Sequence, residues 1–533
     1  MAAPGSADPI WDYLIIGSGF GGSVSALRLV EKGYRVLVLE KGRRLAAADF
    51  PETTWNLKRF FWMPRLGCRG LFKMTFLGHV TALSGVGVGG GSLVYANTLP
   101  VPKDPFFQAP SWAHLADWKA ELAPHYATVL GMLGATTNPN LTYPDQVLRQ
   151  VARDIGREEA FEPTQVAVYF GQPGTTVADP FFGGQGPERT GCTLCGGCML
   201  GCRHGAKNTL DRNYLHLAEK RGLRIEPDTE VTWVRPNPGG GYDVRARAGT
   251  WALPALNARR TFQARNVIFA GGVIGTVPLL LKLKAAEDGL PRLSDRVGSD
   301  IRTNSEVLIG ITSQRRDQDL SQGIAIGSIL HTDPHSHLEP VRYPAGAGLF
   351  RLLSLPQAPG DRLATRLGNA LALLLRHPVR SLRALLVPDW AKYTMILLYM
   401  RTVDGHLRMR LGRGPRTGFR RGPVTEPGQG PAAKAWAPEA TELGHRVAQA
   451  LDGYPSSLLT ETLLGIPTTA HILGGAPMGD SAATGAIDHR HRLYGYDGLY
   501  VIDGAAISAN LGVNPSLTIA ALAERAMTFI PAK

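Results

Sequence analysis

The sequence predicts a two-domain protein of the α/β (α+β) class. A mostly parallel sheet is assembled from discontinuous segments, and an antiparallel-sheet domain is inserted between them. Three observations lead there. Short apolar strands running into glycine occur near the N-terminus (Tyr13–Ile16), in the middle (Asn266–Gly272) and near the C-terminus (Gly498–Gly504). Helical runs follow the first two, at Ser23–Lys32 and Ile274–Lys284. Between the middle and last strands, residues 305–331 and 393–411 alternate as antiparallel strands do.

Composition removes several classes. The 533 residues are 44% hydrophobic and 19% charged, an ordinary globular balance that excludes wholesale disorder. The formal net charge of +13 comes mainly from arginine. Such a surface can meet nucleic acid, anionic membrane or an acidic partner. No zinc-finger spacing, RNA-binding signature or basic zipper region is present, so nucleic acid is not expected. The N-terminus lacks the basic start of a signal peptide, and no uncharged apolar run reaches about 18 residues. The expectation is a cytoplasmic protein, with peripheral contact at the inner membrane face left open.

The first element carries the clearest chemistry. Tyr13–Ile16 reads as a strand and Gly17-Ser-Gly-Phe-Gly-Gly22 as a glycine turn. Val24, Leu27 and Val30 then lie on one helical stripe, Gly33 suits the position after the helix, and Arg35–Leu39 is a second strand ending at Glu40. This is a βαβ unit with GxGxxG and an acid eighteen residues after the third glycine. Gly17 permits the tight turn, Gly19 lets a pyrophosphate approach, and Gly22 lets helix and strand pack closely. The free N–H groups of the helix start face the phosphates. Glu40 accepts from ribose hydroxyls and repels a 2′-phosphate, which disfavours NADP.

The glycine-rich stretch Ser84–Asn97 follows, read as backbone threading past a flat ligand, since Leu93-Val94-Tyr95 favours burial over a surface loop. Residues 100–185 are mixed, with a helix-like segment at Trp112–Leu133. A strand is expected near Glu230–Val234, then a polar hairpin. Arg362–Leu386 is apolar with interspersed arginines, and two readings stand: an apolar face at an anionic interface, or a segment packed inside the substrate domain. Gly412–Pro431 reads as a mobile loop. The expected division is 9–99, 186–312 and 475–533 for nucleotide binding, 100–185 for a cap, and 313–474 for substrate binding.

Four of the five cysteines lie within eleven residues, as Cys192-x2-Cys195-x2-Cys198-x3-Cys202. That spacing matches [4Fe–4S] ligation, with zinc or short-range disulfides as alternatives. Arg203, where ferredoxins have Pro, and the lack of a second tetrad depart from the ferredoxin pattern.

Together these segments resemble the glucose–methanol–choline (GMC) flavoprotein oxidoreductases and, within them, the bacterial cholesterol oxidase branch of the mycobacterial type. The resemblance rests on residues 12–44, GVGGGSLVYANTL at 87–99, HILGG at 471–475 and the stretch 499–525. It implies FAD. Gly17, Gly19, Phe20, Gly22 and Glu40 would hold the ADP half, with Val231 meeting the adenine. Gly91, Tyr95 and Asn97 would line the isoalloxazine, with Asp503 and Gly504 near the pyrophosphate and ribityl chain. His471 and Asn514 match the family's catalytic pair. Glu339, before Pro-Ala-Gly346, resembles the glutamate that moves a Δ5 steroid double bond to Δ4; the alternative is a surface glutamate paired with Arg342. The implied activity is FAD-dependent oxidation of a 3β-hydroxysteroid, with O2 or another acceptor taking the electrons. Rivals are a dehydrogenase of another bulky apolar alcohol passing electrons through the cluster, or a non-catalytic lipid-binding electron-transfer flavoprotein.

Overall fold

A computed structural model describes residues 10–249, 257–403, 405–431 and 433–533. Two seven-stranded sheets organise them. In the first, strands Arg224–Glu226, Val36–Leu39, Trp11–Ile16, the end of Ala258–Phe269, and Leu499–Val501 run parallel in that spatial order. Leu14 sits between Leu37 and Val267 in register, and all three are fully buried. Near-continuous Leu, Ile and Val are what a sheet covered on both faces requires. The start of the long strand Ala258–Phe269 continues into an antiparallel meander with Tyr242–Ala248 and Thr229–Pro236.

Helix Phe20–Glu31 leaves the first strand through the glycine turn. It stops at Lys32 because Gly33 takes φ +84°, a left-handed conformation that glycine adopts without strain. It packs against the closing helix Ser516–Thr528, which packs in turn on Trp118–Met132. The sheet therefore joins the first forty residues to the last thirty-five.

The second sheet is antiparallel throughout, in the order Ser354–Pro356, Gly453–Leu458, Val307–Ser313, Thr394–Arg401, Ser336–Val341, Ser328–Asp333 and Phe161–Pro163. Helices Tyr143–Asp154 and Pro438–Ala450 cover one face, burying Leu148, Val151, Ile309, Ile311, Leu397 and Val447. Buried Asp145 anchors this cover. Its carboxylate accepts from Thr142 N and Oγ1 at 3.0 Å, from Ser328 Oγ at 2.7 Å and, on both oxygens, from Arg342 Nη2 at 3.0 Å. One carboxylate thus caps the helix and ties it to the sheet.

Three expectations change. Strand Val307–Ser313 already belongs to the second sheet, so the boundary expected after residue 312 falls inside a strand. Gly412–Pro431 is not an irregular loop: Gly422–Pro427 pairs with Leu407–Gly412 as a two-stranded ribbon. Arg362–Leu386 forms two helices, Leu363–Arg376 and Pro378–Leu385, and their leucines point outward, which overturns the reading that buries the apolar side. Among the described residues no helix is long and apolar enough to cross a membrane.

Candidate active site

A cavity of about 950 Å³ runs from the glycine turn of the first sheet to the face of the second. At one end it is walled by Gly17, Gly19, Phe20, Glu40 and Val231, and in the middle by Gly91, Tyr95, Asp503 and Gly504. Its far end is formed by Glu306, Leu398, His471 and Asn514. Of the nucleotide-binding residues expected from sequence, Gly22 and Asn97 are not on this wall.

The glycines divide by task. A Cβ on Gly17 would meet Ala270 O at 2.5 Å, and one on Gly22 would meet Gly17 O at 2.2 Å. Both are fixed by the protein's own packing. A Cβ on Gly19 would meet nothing within 4 Å, because that side faces the cavity where a pyrophosphate would lie against the helix N-terminus. Glu40 Oε2 accepts from Ser18 N at 3.1 Å and Ser18 Oγ at 2.8 Å, and Oε1 accepts from Gly42 N at 2.8 Å. The carboxylate is thereby held rigid at the cavity edge. Val231 borders a β-bulge at Thr232, where the ladder register breaks and the backbone turns toward the cavity.

Tyr95 presents its ring to the cavity, fixed by its hydroxyl donating to Asn208 O at 2.6 Å and by edge contact with Phe20. Asp503 is occupied by the protein: Oδ2 accepts from Gly272 N at 2.8 Å and Thr276 Oγ1 at 2.6 Å, Oδ1 from Ala505 N at 2.8 Å. Burial pushes its carboxyl up to about 6, against those hydrogen bonds. It shapes the turn at Gly271–Gly272 that lines the cavity. Asn97 stands just off the wall. Its backbone is left-handed (φ 58°), and its buried side-chain oxygen and nitrogen have no hydrogen-bond partner, while neighbours Ala96 and Thr98 reach the wall. An extended, glycine-lined cavity with a helix N-terminus at one end fits a flavin dinucleotide.

At the far end, His471 Nδ1 lies 2.6 Å from Glu306 Oε2, and Glu306 Oε1 accepts from Ala470 N at 2.7 Å. Burial disfavours the charged imidazole, but the Glu306 carboxylate outweighs it and the His471 pKa is raised. With Nδ1 engaged, Nε2 is the nitrogen left for a bound molecule. Asn514 stands on the same wall because the Gly512–Asn514 turn is clamped by Asn304, whose Nδ2 donates to Val513 O at 2.7 Å and whose Oδ1 accepts from Gly512 N at 3.2 Å.

Glu339 is fully buried on strand Ser336–Val341, opposite Leu398. Its Oε2 accepts from Asn514 Nδ2 at 3.3 Å, and its Oε1 is 3.2 Å from His337 Nε2. Arg342 pairs with Asp145 instead, so the surface-pair alternative does not hold. Glu339 lies behind Asn514 rather than on the cavity wall. Sequence reasoning missed Glu306 altogether. It is 165 residues from His471, and no local motif connects them.

The cysteine expectation is also corrected. All four are free thiols, and among the described residues no group of three or more His, Cys, Asp or Glu is arranged to hold a metal ion. The loop turns through left-handed Gly196, Gly201 and Cys202. Cys198 packs into an apolar cluster with Val166, Val168 and Ile324, and Cys192 and Cys202 lie against that cluster. Burial pushes the Cys192 thiol up to about 11 and Cys198 higher.

Comparison with known proteins decides the family. The GMC oxidoreductase family matches residues 187–294 and 431–523, and an NAD(P)-binding Rossmann-like domain matches 15–60. A cholesterol oxidase of Mycobacterium tuberculosis is 46% identical, covering 98% of this chain and 92% of its own length. The chain belongs to the GMC oxidoreductases. A cholesterol oxidase of Acinetobacter baumannii is 43% identical over 98% of this chain and 95% of its own. The crystal structure of pyridoxine 4-oxidase from Mesorbium loti shares the fold, with a TM-score of 0.60 at 14% identity, covering 98% of this chain and 99% of that one. As a GMC oxidoreductase, the protein is an FAD-dependent enzyme acting on CH–OH donors.

Proposed function

We propose that this GMC oxidoreductase oxidises the 3β-hydroxyl of a sterol such as cholesterol to the 3-ketone and moves the Δ5 double bond to Δ4. The observation that carries the reading is near-full-length similarity to two cholesterol oxidases, in a chain whose cavity ends at His471 and Asn514. FAD, when bound, supplies the acceptor for the hydride that leaves the carbinol carbon. Gly17, Gly19, Phe20, Glu40 and Val231 would hold its ADP half, and Gly91, Tyr95 and Gly504 its flavin half.

The chain's own residues then have few tasks. Phe72, Tyr343, Phe350, Trp390, Ile396 and Leu398 give the cavity an apolar wall that excludes water and matches fused rings. His471 Nε2 accepts the hydroxyl proton, and Glu306 stabilises the imidazolium that results. The Asn514 amide, with one hydrogen given to Glu339, directs its other toward the developing oxyanion. Glu339, next to Asn514 at the cavity end, carries the proton between ring carbons in the isomerisation. O2 is the electron acceptor in this reading, supported by the similarity to two proteins named as oxidases.

The test is an absorption spectrum of the purified holoenzyme before and after anaerobic addition of cholesterol. Bleaching of the flavin band, and its return on admitting O2 with formation of the 4-en-3-one, is the expected result. An oxidised flavin that cholesterol leaves unchanged would overturn the substrate assignment.

A further inference from the structure

The two helices Leu363–Arg376 and Pro378–Leu385 are amphipathic in the wrong sense for water. Leu371, Leu375, Val379, Leu382 and Leu386 are all more than half exposed, Leu375 at 72% and Leu386 at 66%. A surface helix ordinarily turns such residues to the core. Here three polar side chains anchor the inner side instead. Arg366 is buried, giving its guanidinium to the carbonyls of Thr462, Gly360 and Asp361 at 2.8–3.0 Å. Ser381 Oγ bonds Tyr454 Oη at 2.8 Å, and Arg380 pairs with Asp452 at 2.6 Å. Those anchors fix which side faces out. A contiguous exposed apolar face of this kind marks an interaction surface.

Charge selects the occupant. From Arg362 to Pro388 the sequence has no Asp or Glu, and Arg362, Arg376 and Arg383 stand exposed around the leucines. A basic rim about an apolar face complements an anionic lipid surface. It would oppose the like-charged rim of a second copy of this chain.

Position gives the face a use. The first helix packs against the edge strand Ser354–Pro356 and the second against Gly453–Leu458. Ser354, Ser456 and Leu458 of those strands also line the catalytic cavity. The geometry points to a membrane-docking face: the helix pair Leu363–Leu385 seats its leucines in an anionic lipid monolayer beside the cavity. That the cavity draws its substrate from that monolayer rests on the sterol reading above. The docking itself does not.

The experiment is co-sedimentation of the FAD-loaded enzyme with sterol-free vesicles of phosphatidylcholine and phosphatidylglycerol. The double variant Leu375→Glu/Leu382→Glu changes exposed positions only. The parent is expected to bind, less so at high salt, and the variant to bind about tenfold less or weaker. The variant should keep its flavin and its turnover of detergent-dispersed cholesterol. Three outcomes overturn the docking face: a parent that does not sediment with vesicles, a variant that binds equally, or a parent dimer in sedimentation velocity that the variant dissociates. Vesicle binding without flavin reduction by cholesterol would instead sink the sterol reading and leave the docking face standing.

Discussion

His471 Nδ1 meets the Glu306 carboxylate at 2.6 Å, and that contact sets both the tautomer and the basicity of the imidazole. Burial works against the imidazolium, and the carboxylate more than offsets it, so the pKa is raised. A proton acceptor must begin neutral, so flavin reduction should fall as pH drops through that raised value. Glu306→Gln removes the charge and should move this acidic limb to lower pH while flavin stays bound. Stopped-flow reduction across pH checks it, and an unmoved limb would detach Glu306 from the chemistry. The same raised pKa makes a stability contribution that is full below the unfolded histidine's pKa and lost as pH rises through the folded one.

Loss of the two groups proposed to meet the substrate should be more severe. His471→Ala or Asn514→Leu should retain flavin yet slow its reduction by substrate about 10²-fold or more, the usual effect of a lost acid–base partner. Normal reduction in both variants would remove them from the hydride step.

Glu339 and Asn514 share a hydrogen bond, but their tasks separate. Glu339→Gln should still oxidise the sterol and release the Δ5-3-ketone, detectable because it lacks the conjugated enone absorbance. Undiminished Δ4-3-ketone from the variant would take Glu339 out of the isomerisation.

Arg342 and Asp145 make a fully buried, paired charge between the Tyr143–Asp154 helix and the antiparallel sheet. Arg342→Ala leaves a buried carboxylate without its cation and should cost about 3–5 kcal/mol. Denaturant unfolding measures this, and a loss within the error of a surface substitution would show the pair to be dispensable.

The cysteine loop should act through packing. Cys195→Ser is expected to leave flavin content and turnover unchanged. Cys198→Ser, which puts a hydroxyl among Val166, Val168 and Ile324, should lower Tm by a few degrees, in keeping with about 1–3 kcal/mol for an unsatisfied buried hydroxyl. Iron that co-purifies and disappears with activity in both variants would restore a metal role to the loop.

Local order was legible in the sequence. GxGxxG between an apolar strand and an apolar stripe, with Glu40 at the end of the next strand, fixes its own geometry within forty residues, since turn, helix start and strand are set by neighbours in the chain. The same is true of the Gly498–Gly504 strand, and HILGG marked a histidine that the structure places on the cavity wall. Tertiary structure decided what depends on residues far apart. Glu306 reaches His471 across 165 positions, and Glu339 is set behind Asn514 by strand register rather than by any spacing. Cysteine spacing could suggest four ligands, but the path of the backbone directs Cys198 into an apolar cluster. Arg362–Leu386 carries the same amphipathic pattern whether its leucines face core or solvent. Periodicity fixes that a helix has two faces, and only the anchors at Arg366, Arg380 and Ser381 decide which one the protein keeps.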